Sequence, residues 1–137
     1  MLIVGILGTL TAIALPRWSE MQLRARRAEP KINMNGIKTA QQAYVAGNDT
    51  YITGSSNPGS SLTKQARPFA EGQSGWTELG WRPDGDIRCN YATRAFGGDT
   101  WFRVDATCDV DDDNRTAIIR YYSEQGTTPG WVDLYPD

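Results

Sequence analysis

From Met1 to Leu15 the chain carries no charge. Eleven of these residues are apolar and the other four are Gly or Thr. A stretch this apolar fits a signal-peptide core, a buried helix or part of a membrane span. No basic residue precedes it and LPRW follows it, so the basic start and small-residue cleavage site of a signal peptide are both missing. As a helix, fifteen residues reach about 22 Å, short of the roughly 30 Å hydrocarbon core of a bilayer. The run therefore reads as truncated, with a few more apolar residues expected ahead of Met1.

Gly5, Gly8, Thr9, Thr11 and Ala12 lace the run with small side chains. These let helix backbones approach closely, while each Gly lowers helix propensity by about 1 kcal/mol relative to Ala. Pro16 has no N–H for the carbonyl of Ala12. Gly8–Pro16 is thus the stretch of helix most easily unwound. An ordinary membrane anchor with a proline at its edge also fits these residues.

Charge divides the rest. Residues 1–47 have six Lys or Arg against two Glu, and residues 48–137 have eight basic against fourteen acidic residues, within a formal net charge of −2. The pI near 5.1 argues against a partner held by bulk positive charge, so nucleic acid is not expected as the primary partner. Histidine is absent, which removes imidazole from any triad or metal site. No phosphate loop, GxSxG elbow or zinc spacing occurs, and an Asp84–Asp86 pair in the RPDGD turn is explained by turn chemistry. An enzyme is not expected.

MLIVGILGTLTAIALPRWSEMQLRARRAE resembles the N-terminal helix of type IV pilins and type II secretion pseudopilins. The likeness lies in the apolar run, Gly8, Pro16 and the basic–acidic neck. WTELGWRPDGDIRCNYAT and the later aspartate cluster are similar, more loosely, to the head domains of some deltaproteobacterial pilins. The resemblance implies an α+β fold, with a long, kinked N-terminal helix, apolar in its first half, packed on a small antiparallel sheet. It implies a helix held in the inner membrane, handled by pilus assembly machinery, and then packed against identical subunits in a helical filament outside the cell. Leu2, Ile3, Val4, Ile6, Leu7, Leu10, Ile13 and Leu15 would form that filament core. Gly8–Pro16 would melt there. Family members begin with an apolar residue followed by an early Glu, so the first few mature residues are expected to precede Met1.

The expected division is residues 1–27, apolar helix and basic neck, and residues 28–137, the head. Arg17, Arg24, Arg26 and Arg27 with Glu20 and Glu29 form the neck. It reads either as a solvated collar of helical ion pairs or as a contact for lipid headgroups and acidic neighbours. By the positive-inside rule this collar would stay cytoplasmic, opposite to the topology the resemblance implies. Helical periodicity resumes at Ala28 and runs to Gly47, gathering Ala28, Ile32, Gly36, Ile37, Ala40, Ala43 and Tyr44 on one half. Lys31, Asn35, Lys38, Gln41 and Gln42 fall on the other, with Met34 and Val45 as exceptions. Pro30 is expected to bend the helix and Gly47-Asn48-Asp49 to stop it. TGSSNPGSS (53–61) reads as a flexible surface loop.

Three strands are expected in the head, within 86–95, 100–108 and 115–123, as an antiparallel meander laid on the helix. Trp76, Trp81, Trp101 and Trp131 read as core and rim. Cys89 and Cys108, on two of those strands in an exported domain, read as a disulfide; a metal pair lacks two ligands and a redox pair lacks CxxC spacing. Asp109, Asp111 and Asp113 stand at alternate positions in CDVDDDNR. A solvated hairpin turn and a weak Ca²⁺ site both fit them, although Asn114 and Arg120 break the EF-hand pattern. No other cofactor is expected.

The leading expectation is a structural subunit of a type IV pilus, serving motility, adhesion or surface attachment. A minor pilin or a secretion pseudopilin is the alternative within the same resemblance. A component that binds DNA or surfaces through Arg82, Arg88, Arg94 and Arg103 with nearby Trp is an alternative of another class.

Overall fold

One helix, α1 (Leu2–Asn48), runs for 47 residues, which is about 70 Å of axis. The computed structural model describes residues 2–59, 62–123 and 130–134, with side chains described from residue 17 onward. Pro16 and Pro30 both lie within α1, and the helix continues through each. Pro30 is buried against the head. Helix α1 stops within the predicted Gly47-Asn48-Asp49, and its left-handed closing residue is Asp49 (φ 57°). The Asp49 N–H donates to the Val45 carbonyl at 2.9 Å, and Asn48 Nδ2 donates to the Tyr44 carbonyl at 3.0 Å. Together they satisfy carbonyls that a helix end leaves open.

The buried stripe of α1 is Pro30, Met34, Ile37 and Gln41, at spacings of three and four. This corrects the sequence-based face in two ways. Met34, an exception to the predicted half, is at the centre of the core, and Gln41, assigned to the polar half, is fully buried. Ile32, Ala28 and Ala43 are exposed instead. Hydropathy alone misplaced the face because Gln41 enters the core with every polar atom used. Its Nε2 donates to the Ile52 carbonyl (2.6 Å) and to Thr93 Oγ1 (2.9 Å), and its Oε1 accepts from the Ile52 N–H (3.2 Å). A buried amide satisfied in this way avoids the penalty for orphaned polar groups.

Among the described residues the head is a sheet of five strands in chain order, every neighbour antiparallel: β1 (Gly54–Asn57), β2 (Asn90–Phe96), β3 (Trp101–Cys108), β4 (Ala117–Tyr122) and β5 (Gly130–Asp133). The α+β architecture is as expected, and three of these strands match the predicted runs. The other two do not. Part of the supposed loop TGSSNPGSS is edge strand β1, where Gly54 and Asn57 are buried. Asn57 earns that position by donating to the Ala70 carbonyl (2.8 Å) and accepting the Ala70 N–H (2.9 Å), which no hydropathy pattern shows. Strand β5 is too short for its alternation to register.

Strand β3 alternates as predicted. Phe102, Val104, Ala106 and Cys108 are buried toward α1, while Trp101, Arg103, Asp105 and Thr107 face outward. Tyr91 and Thr93 of β2 and Tyr121 of β4 complete the inner layer. The connection from β1 to β2 carries a single helical turn, α2 (Trp76–Leu79), and folds Phe69, Trp76 and Trp81 over one end of the core. Their rings meet at centroid distances of 5.3–5.6 Å. Cys89 and Cys108 are joined by a disulfide where β2 begins and β3 ends, with Cα atoms 4.4 Å apart. Among the described residues no helix is long and apolar enough to cross a membrane. The side chains of residues 1–16 lie outside that statement.

Candidate functional site

The residues predicted for a filament core, Leu2, Ile3, Val4, Ile6, Leu7, Leu10, Ile13 and Leu15, have side chains outside the described residues, as do Gly8 and Pro16. Their backbone belongs to α1 and is helical. The described part of the same helix carries apolar side chains of its own in the open. Trp18, Met21 and Ile32 are 66%, 69% and 69% exposed, far above what large apolar side chains show in a packed domain. Ala25 and Ala28 are exposed between them. At about 100° per residue, positions 18, 21, 25, 28 and 32 fall within roughly 80° of arc. That arc lies roughly 180° from the Pro30–Met34–Ile37–Gln41 stripe. Helix α1 therefore has two apolar faces, one on the sheet and one uncovered. The spacing of 18, 21, 25, 28 and 32 was present in the sequence, but Arg17, Arg24, Arg26 and Arg27 masked it as a basic collar.

The neck is fixed to the head along one flank. Glu29 Oε1 accepts the Arg88 N–H at 2.8 Å and Oε2 accepts Arg88 Nη1 at 3.2 Å. Arg26 Nη1 donates to the Val110 carbonyl at 3.4 Å. On the other flank Lys31 pairs with Asp133 at 3.7 Å, and Lys38 lies 4.6 Å above the Tyr121 ring. The Glu20–Arg24 pair at 4.0 Å is exposed and adds little. Tyr91, buried beneath this region, accepts a hydrogen bond from Asn33 Nδ2 at 3.0 Å. Burial pushes its phenol pKa well above the ordinary tyrosine value, partly offset by that hydrogen bond.

The structure brings Asp109, Asp111 and Asp113 together, each offering an oxygen within 4.8 Å of the others. Hard oxygen donors at that separation match the 2.3–2.6 Å reach of Ca²⁺. The same carboxylates also shape the turn. Asp109 Oδ1 accepts the Asp112 N–H at 2.7 Å, and Asp113 Oδ1 accepts the Arg115 N–H at 2.8 Å. Asp111 Oδ1 is buried without a hydrogen-bond partner among the described residues.

The four arginines grouped from sequence do not form one patch. Arg82 pairs with Glu71 at 3.2 Å and Arg88 with Glu29, both away from the outer sheet face. Arg94 and Arg103 stand directly opposite each other on β2 and β3. Asp84 and Asp86 are exposed turn residues.

No protein family model matches the chain, and no solved structure does. Over 99 residues the chain is 29% identical to a type IV major pilin protein, PilA, of Myxococcus xanthus (strain DK1622). The match covers 72% of this chain and 36% of that protein, so the chain spans about a third of its length. The relationship is pilin-like and distant.

Proposed function

We propose that this chain is the structural subunit of an extracellular type IV pilus, held first in the inner membrane and then polymerised through α1 into a filament of identical subunits. One observation carries the reading: the uncovered stripe of Trp18, Met21 and Ile32 on the side of α1 that faces away from the sheet. An apolar face that its own head leaves in water is stabilised by lipid or by other copies of the same helix. The stripe lies on the same helix as the apolar run of the sequence, residues 2–15, so both can serve the two settings. The likeness to a type IV major pilin supports the same role. Capture by the assembly machinery, and use in motility, adhesion or attachment, follow from this reading.

Replacing Met21 and Ile32 together with Glu tests it. Both are exposed, so the head keeps its melting temperature, while surface filaments seen by electron microscopy disappear. Normal piliation in that double variant overturns the proposal. Purified surface filaments made chiefly of this chain support a major subunit. A trace amount would assign it instead to a minor pilin or a secretion pseudopilin.

A further inference from the structure

On the outer face of the sheet, the β2–β3 register sets Arg94 directly across from Arg103. Like charges at such a cross-strand position repel, and a sheet gains nothing from them structurally. Among the described residues one carboxylate answers them. Asp105 accepts Arg103 Nη2 (2.7 Å) and Nε (2.9 Å) on one oxygen, and Arg120 Nε (3.0 Å) on the other. Arg94 is exposed and has no ion-pair or hydrogen-bond partner among the described residues. Among the described residues, three guanidinium groups with one carboxylate leave a local surplus of two positive charges, on a head whose residues 48–137 otherwise sum to a negative balance.

Aromatic rings adjoin the surplus. Phe96 and Trp101 are cross-strand partners one register step along the same face and stack at 4.4 Å with planes 15° apart. Arg103 lies over the Phe96 ring at 5.4 Å, which fixes its guanidinium plane. A Cβ at Gly97 would fall 2.9 Å from Trp101 Nε1, so the hairpin turn holds the indole closely as well. Guanidinium forks fit phosphate oxygens in pairs, and a half-exposed indole offers a face to a planar base.

We infer that this outer face, centred on Arg94, Arg103 and Trp101, binds single-stranded nucleic acid, with phosphates at the arginines and a base stacked on the indole. The inference rests on the proposed polymerisation in one respect. With the opposite, helical side packed inward, each subunit displays this face outward, and a long polyanion engages many copies at once. Strands reach this face although the chain as a whole is acidic, because here arginines outnumber carboxylates among the described residues.

The test measures binding of a short fluorescent oligothymidylate to the full chain in detergent micelles and, separately, to purified filaments. Binding is expected in both, weakening steeply with added salt. Arg94→Glu should lower affinity about tenfold or more and Arg94→Gln about threefold, with unchanged melting and filament assembly. Arg82→Glu, away from this face, should leave binding intact. Absence of binding in micelles, or equal loss in Arg82→Glu and Arg94→Glu, overturns the inference. Displacement by polyglucuronate at a lower charge concentration than by unlabelled oligonucleotide also overturns it, in favour of an acidic polysaccharide. Because the micelle measurement needs no filament, failure to assemble and failure to bind are read separately.

Discussion

A Cβ carbon added to Gly36 would lie 2.6 Å from Nε1 of Trp81. The backbone of α1 thus touches an indole ring carried by the connection between β1 and β2, and the aromatic cluster at this end of the core depends on that approach. Gly36→Ala gains about 1 kcal/mol of helix propensity but overpacks a rigid ring, which typically costs about 1–3 kcal/mol. The expected outcome is a net loss of about 1 kcal/mol and weaker protection of Trp81 from fluorescence quenchers. A rise in melting temperature would count against the contact.

Gln41 joins the end of α1 to β2 and to the segment after the helix through three hydrogen bonds. Gln41→Leu keeps the volume and orphans both polar groups of Ile52 as well as the Thr93 hydroxyl. A loss of about 2–3 kcal/mol is expected in denaturant unfolding of the full chain in micelles. Thr93→Val alone should cost less, because Ile52 keeps both of its partners. In the double variant part of the Gln41→Leu loss should disappear, since one orphan is then removed.

These two sites show how far the sequence could be read. Alternation made β3 plain, because its inner and outer residues differ sharply in hydropathy. The paired cysteines were plain too, because in a head expected to be exported their chemistry has few alternatives. Gln41, Asn57 and β1 were hidden because each is buried through hydrogen bonds made to residues distant in sequence. The Trp18–Met21–Ile32 stripe was hidden differently. Arginines at positions 17, 24, 26 and 27 dominate the local composition, although three-dimensional spacing separates them from the stripe.

The Cys89–Cys108 disulfide closes a loop with a sequence separation of 19. A loop of that size restricts the unfolded chain by about 3 kcal/mol. Replacing both cysteines with Ser, or reducing the wild-type chain, should lower the unfolding midpoint accordingly. The reduced wild type and the double Ser variant should agree, and reductant should leave the variant unmoved.

Tyr91 gives the fold an alkaline limit. Its pKa is raised in the folded state, chiefly by burial, so the folded chain binds its phenolic proton more tightly than the unfolded chain does. The contribution is fully present below the ordinary tyrosine value of about 10 and is lost as pH rises above it. Stability should therefore fall above about pH 10, more steeply for wild type than for Tyr91→Phe. Ultraviolet titration should show one phenol that ionises only as the chain unfolds. Equal slopes for the two proteins would sink this account.

The grip of Arg88 on Glu29 sits one residue from the Cys89–Cys108 bridge. Tension applied along α1 would therefore enter the head beside a covalent link, where β2 cannot peel away from the end of β3. Mechanical load is passed across the sheet instead of unzipping it from one edge. In the filament proposed for this chain, the place of the bridge matters as much as its contribution at rest.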